Sequence, residues 1–153
     1  MKKIGFLLPL LGLLFTTTAF AYSGSHNFLS MTTTSSNGHS YKSEFNGAGK
    51  FPFNGLSSYD GSRVNLKGTF NVSERDGVTV SESYCTVLNG NLKTTGGKLT
   101  ATLYSDSACS QVAGKTVYTV SSYQEDNTGN FTVSATDGSG VVYSTSGSHQ
   151  YSR

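Results

Sequence analysis

Apolar and small side chains recur at every second position along much of this chain, and that period restricts its fold more than any other feature. Tyr41, Ser43, Phe45, Gly47, Gly49, Phe51 and Phe53 fall on one side of an extended segment, with Lys42, Glu44, Asn46, Ala48, Lys50 and Pro52 on the other. Val64, Leu66, Gly68, Phe70 and Val72 repeat the pattern against Arg63, Asn65, Lys67, Thr69 and Asn71. Shorter versions occur at Leu99, Ala101 and Leu103 and at Phe131, Val133 and Ala135. A helix would need a period of about 3.6 residues, whereas alternation with one polar face describes antiparallel strands wetted on one side.

The punctuation between these runs has the same meaning. Asn-Gly stands at 37–38, 46–47, 54–55 and 89–90, and Asp-Gly at 60–61, 76–77 and 137–138. Both dipeptides tolerate the positive φ angles of tight hairpins. Strands are predicted over 26–33, 39–45, 48–53, 62–73, 77–88, 97–105, 115–123, 130–136 and 140–150, with no helix beyond the N-terminal segment. Asn46-Gly47 and Gly49 can instead mark a bend inside one long strand, and the Ser/Thr/Asn-rich stretch 32–40 reads as a loop or hairpin tip. Consecutive hairpins make sequence neighbours sheet neighbours. The expected fold is therefore all-β: a single antiparallel meander closed into an up-and-down barrel of about eight strands, with a two-sheet sandwich as the alternative.

Size and strand count are similar to those of the lipocalin and avidin class of small secreted barrels. No motif accompanies that similarity: the chain has no Trp, so the Gly-x-Trp of a first lipocalin strand is missing.

The N-terminus carries an export signal on its face. Lys2 and Lys3 precede an apolar run from Ile4 to Phe15, and Ala19-Phe20-Ala21 supplies the small residues a signal peptidase needs. The run is shorter than the roughly 20 residues of a membrane-spanning helix. Residues 1–21 are therefore expected to be cleaved, leaving 22–153 as one all-β domain in the periplasm or outside the cell. Without Lys2 and Lys3, the 11 basic residues become nine against 9 acidic ones, so the net charge of +2 falls to zero. A neutral domain gives no reason to expect a nucleic-acid partner. Cys85 and Cys109 are the only two cysteines, and in an oxidising compartment they have one intramolecular pairing.

Chemical motifs are scarce. His26, His39 and His149 stand apart from one another and from other ligand types, and each reads as a solvated loop or strand-end residue. There is no Gly-x-Ser-x-Gly elbow and no phosphate loop leading into a helix. Residues 125–130, Glu-Asp-Asn-Thr-Gly-Asn, have the acid and glycine content of a calcium loop without its ligand alternation, and read as a hairpin turn. No enzyme activity, metal or cofactor is expected.

The candidate binding residues are those that alternation turns inward: Phe45, Phe51, Phe53, Phe70, Glu82, Tyr84 and Tyr118. Glu82 shares a phase with Val78, Val80, Tyr84, Thr86 and Leu88, which would put a carboxylate inside the barrel, where Arg63 is a possible partner. A bulge near Glu82-Ser83 would instead return it to water, and that reading is favoured because Cys85 and Val87 occupy the other phase. The expected function is non-catalytic binding of a small apolar molecule inside the barrel. Recognition of an extracellular protein through loop positions such as Tyr59 or Tyr123 is the alternative, as an adhesin or hydrolase inhibitor would do. A small outer-membrane barrel comes third, because the chain has few large apolar side chains to face lipid. The extended ends around 27–31 and 141–148 could also pair with another chain as edge strands.

Overall fold

The computed structural model describes residues 26–51, 63–93 and 96–152. The expected signal segment, Phe53, Tyr59 and the dipeptides at 54–55 and 60–61 lie outside these residues. Eight strands follow in order: β1 His26–Ser35, β2 Ser40–Lys50, β3 Arg63–Arg75, β4 Val78–Asn91, β5 Gly97–Tyr104, β6 Val112–Glu125, β7 Asn130–Thr136 and β8 Val142–Ser152. Each pairs antiparallel with its neighbour in sequence, and β8 returns to β1, so the sheet is a closed barrel in meander order. The barrel, not the sandwich, is the architecture.

The two segments expected as possible edge strands pair with each other. His26 lies opposite Ser152, and the register runs unbroken to Ser35 opposite Tyr143. Closure satisfies backbone groups that an open sheet would leave exposed. Toward the Ser35–Tyr143 end of this seam the hydroxyls of Thr33 and Thr145 meet at 2.8 Å across 112 residues of sequence.

Asp76-Gly77 makes the β3–β4 hairpin in the anticipated way, with φ of 52° and 81° at its two central residues. The dipeptides at 46–47 and 89–90 do not turn the chain: each sits inside a strand, so the two segments predicted at 39–45 and 48–53 are one strand, β2. Gly47 lies directly opposite Gly68 of β3. A Cβ on Gly47 would meet the Lys67 carbonyl oxygen and come within 2.7 Å of the Gly68 Cα. Glycine is needed there for the close approach of two backbones. The stretch 32–40 is also more regular than expected, because β1 continues to Ser35 before the turn.

Inward positions build the core. Leu29, Phe45, Val64, Leu66, Leu92, Val120 and Phe131 are buried together, with Met31, Phe51, Phe70, Leu88, Leu99, Tyr123 and Val133 packed against them. Complete burial of one such aliphatic or Phe side chain stabilises the fold by about 1.5–3 kcal/mol. Outward positions on β1, β7 and β8 are mostly polar, among them Ser30, Thr32, Thr34, Asn130, Thr132, Ser134, Ser144, Ser146 and Ser148, with Phe28 an apolar exception on β1 and Val117 another on β6. Cys85 on β4 is bonded to Cys109 in the β5–β6 turn, with their Cα atoms 5.5 Å apart. That pairing is the one anticipated from the sequence.

Candidate functional site

The two ends of the barrel differ in chemistry. At one end lie the β1–β2, β3–β4, β5–β6 and β7–β8 turns, and inward positions toward these turns hold tyrosines and charges beside aliphatics such as Val72 and Ala135. Tyr41 is in phase with buried Ser43 and Phe45, Tyr84 with Thr86, Tyr118 with Val120, and Tyr143 with His149. All four tyrosines are half-buried. A cross-strand row of aromatics, Phe45 opposite Phe70 and Phe70 opposite Tyr84, links this end to the apolar core.

Polar groups converge on the same end. Arg75 is directly opposite Tyr41, and its guanidinium carbon lies 5.2 Å from the centre of that ring. The same guanidinium donates to Glu82 Oε1 at 2.6 Å. This bond raises the Arg75 pKa, against the smaller opposing effect of burial. Tyr118 and Tyr143 stand edge to face, 5.6 Å apart at 90°. The Tyr143 hydroxyl donates to Asp137 Oδ2 at 3.1 Å. Burial and then the bond to Asp137 push the Tyr143 hydroxyl up to about 12, and burial likewise raises Tyr118. Asp137 is held below the usual carboxylate range: burial opposes this, but the Val141 and Ser139 N–H groups and the Tyr143 hydroxyl outweigh it. Val78, Val112 and Val142, the first residues of β4, β6 and β8, rim this end and are 64%, 63% and 37% exposed.

The opposite end is packed. Phe51 meets Phe131, Tyr123 and His149 edge-on at 5.8, 6.4 and 4.8 Å. His149 is 3% exposed and not a solvated strand-end residue, because its phase on β8 points inward. Its Nε2 is 2.7 Å from Asn27 Oδ1, and the Asn27 amide donates to the Gly49 carbonyl at 2.9 Å. Glu125 Oε2 lies 3.9 Å from His149 Nδ1, while Glu125 Oε1 accepts from the Tyr123 hydroxyl at 2.6 Å. Burial lowers the His149 pKa, the nearby Glu125 charge opposing it. Burial also raises Tyr123, with the Glu125 bond adding to it. Tyr123, expected at the surface, is thus part of an interior hydrogen-bonded group. No such grouping was anticipated for His149.

No family model matches the chain, and no curated protein or solved structure matches it.

The inward residues expected to bind ligand therefore divide. Phe45 is wholly enclosed, Phe70 packs on the core directly opposite Tyr84, and Phe51 stands at the opposite end. Glu82, Tyr84 and Tyr118 stand at the turn end. Glu82 keeps the phase of Tyr84 and Thr86, because the β3–β4 register slips just beyond it, between the pairs Val72–Glu82 and Glu74–Thr79. The anticipated return of Glu82 to water does not occur, and its ion-pair partner is Arg75, not Arg63. Tyr41, Arg75, Asp137 and Tyr143 were not singled out in the sequence. Tyr41 was visible in the inward phase of β2, but nothing local showed that these four positions share one end.

An open hollow of about 890 Å³ lies elsewhere, bordered by the outward Thr32, Gln124, Thr132 and Ser146 and also by Tyr123, Glu125 and Phe131 of the opposite end. The Asp126 carboxylate at its edge is occupied in the β6–β7 turn, accepting from the Thr128 and Asn130 N–H groups at 2.8 and 3.0 Å. That bonding makes residues 125–130 the hairpin turn expected from the sequence. The turn end of the barrel is where rings, hydroxyls and charges converge.

Proposed function

We propose that this protein is a non-catalytic binding module that takes a small molecule at the tyrosine-lined turn end of its barrel. The observation that carries the reading is the asymmetry of the interior. One end gathers Phe51, Phe131 and Tyr123 in ring contacts around the buried His149–Asn27 pair, whereas the other brings four half-buried tyrosines together with Arg75 and Glu82. Tyrosine offers an apolar ring and a polar tip, so the expected ligand has an apolar body with a polar feature. The disulfide is compatible with an oxidising, exported location. The Ser, Thr and Asn side chains on the outer positions of β1, β7 and β8 would face lipid in a membrane barrel, which gives that alternative no support.

The test is native mass spectrometry of residues 22–153, exported with the disulfide formed and released without detergent. A discrete adduct lost on activation, and absent from Tyr84→Ala, is the expected result. An adduct retained by Tyr84→Ala, or no adduct in the parent protein, would count against the turn end as a small-molecule site. The second reading is a protein docked on the rim, favoured by exposed Val78, Val112 and Val142. Under that reading, a partner recovered from the native environment loses affinity in Val78→Ser/Val112→Ser while Tyr84→Ala retains it.

A further inference from the structure

We infer that the ligand of the turn end carries an organic cation, a quaternary ammonium or an alkylated amine, held against tyrosine faces beside Asp137. The inference rests on the binding reading above and names its ligand class.

Three observations lead to it. First, the site already holds a cation on an aromatic face: the Arg75 guanidinium lies 5.2 Å from the Tyr41 ring centre. Guanidinium and ammonium groups are attracted to ring faces by the same quadrupole. Second, Tyr118 and Tyr143 meet at 90°, 5.6 Å apart, and perpendicular rings form the corner that surrounds a rounded cationic group. Third, the charge balance of this end favours a cation. Arg75 is paired with Glu82 at 2.6 Å, so those two charges offset one another. Asp137 remains as a carboxylate bonded to the Tyr143 hydroxyl at 3.1 Å. Farther out, the Asp76 carboxylate lies 3.0 Å from His39 Nδ1, and Lys42 is 3.3 Å from Glu74.

The negative field of Asp137 reaches both rings of the corner: it contributes to the raised pKa of Tyr118 and of Tyr143. Phenol hydroxyls held protonated well above neutral pH keep both rings uncharged under physiological conditions. A neutral ring with a carboxylate bonded to its hydroxyl presents a more electron-rich face. An anion would have to displace Glu82 from Arg75 and approach Asp137, two costs that a cation avoids.

The experiment compares two probes of nearly equal size and shape, choline and its uncharged carbon isostere 3,3-dimethylbutan-1-ol. Each is titrated into the disulfide-bonded 22–153 chain while tyrosine ring resonances are followed by NMR, with Tyr151 on the opposite side as an internal reference. Choline is expected to shift Tyr118 and Tyr143, leave Tyr151 unmoved, and bind about tenfold more tightly than the isostere, the scale of a partly desolvated cation on aromatic faces. Asp137→Asn keeps an acceptor for the turn N–H groups and is expected to reduce that preference severalfold. Tyr118→Leu is expected to abolish choline binding, with amide spectra confirming the fold.

Equal binding of choline and the isostere at Tyr118 and Tyr143 would overturn the cation assignment while leaving the binding-module reading intact. Shifts confined to other residues, or none with either probe, would also overturn it, and the mass-spectrometric adduct then decides the binding reading alone. An unchanged preference in Asp137→Asn would refute the part given to that carboxylate. Phosphocholine-headed vesicles, run against free choline, separate a lipid headgroup from a soluble source of the same chemistry. Choline-specific shifts support the inference whether or not the vesicles bind.

Discussion

Replacing both cysteines with serine isolates the contribution of one covalent bond to a barrel whose strands are otherwise held by ladders and packing. Cys85 and Cys109 are separated by 24 positions, and the loop they close contains all of β5. In the chain-entropy description, closing a loop of that length removes about 11.6 cal/mol/K from the unfolded ensemble, or roughly 3.5 kcal/mol at 25 °C. A domain of this size has an unfolding entropy near 0.27 kcal/mol/K at its midpoint, so the expected fall in Tm is on the order of 10 °C. The assay is urea unfolding of Cys85→Ser/Cys109→Ser beside the oxidised parent, read by far-UV circular dichroism and stopped-flow kinetics. Because the constraint acts on the unfolded chain, the loss should appear mainly as slower folding, with unfolding changed little. A stability difference below about 1 kcal/mol would refute the entropic reasoning. So would a loss located wholly in the unfolding rate, which would assign the effect to native contacts instead.

Two further perturbations probe the packed end and the sheet. His149 has a folded pKa below its ordinary 6.5, burial being the main cause, so the unfolded chain binds the proton more readily. Its stabilising effect is complete above pH 6.5 and is lost as pH falls from there toward the folded value. Urea midpoints measured from pH 7.5 to 5 should decline, and His149→Gln should flatten that decline; an unchanged slope in the variant would remove His149 as its source. Gly47→Ala would drive a Cβ into the β3 backbone, which a strand can relieve only by local shift, for a cost of about 1–3 kcal/mol by thermal melting. Unaltered stability there would mean that β2 and β3 separate at this point without penalty.

Much of the barrel was legible because alternation is a local signal. Phe45, Val64, Leu66, Val120 and Phe131 each sit where their phase puts them. The glycines at 47 and 90 misled for a physical reason: the same missing Cβ that permits a hairpin turn also permits close approach of two strands, and a dipeptide cannot distinguish the uses. The Glu82 phase was readable, but its partner was not, because Arg75 reaches it through a hairpin whose register slips. His149, Glu125 and Asn27 each look isolated in sequence. They meet only because the meander lays β8 beside β1 and brings the end of β6 to the same end of the barrel. The tyrosine mouth was half visible for the same reason: phase shows which side a residue takes, and only closure shows which residues share an end.

The β1–β8 seam has a kinetic consequence. Seven of the eight strand pairings join sequence neighbours, and only the seam joins residues as far apart as Thr33 and Thr145. Contacts of such separation are slow to form, because much of the intervening chain must be ordered first. The seam is therefore where the search for the native topology ends. A circular permutant linking 152 to 26 and cut between Asp76 and Gly77 would keep the same barrel while making that pairing local, and would transfer the slow closure to β3 and β4.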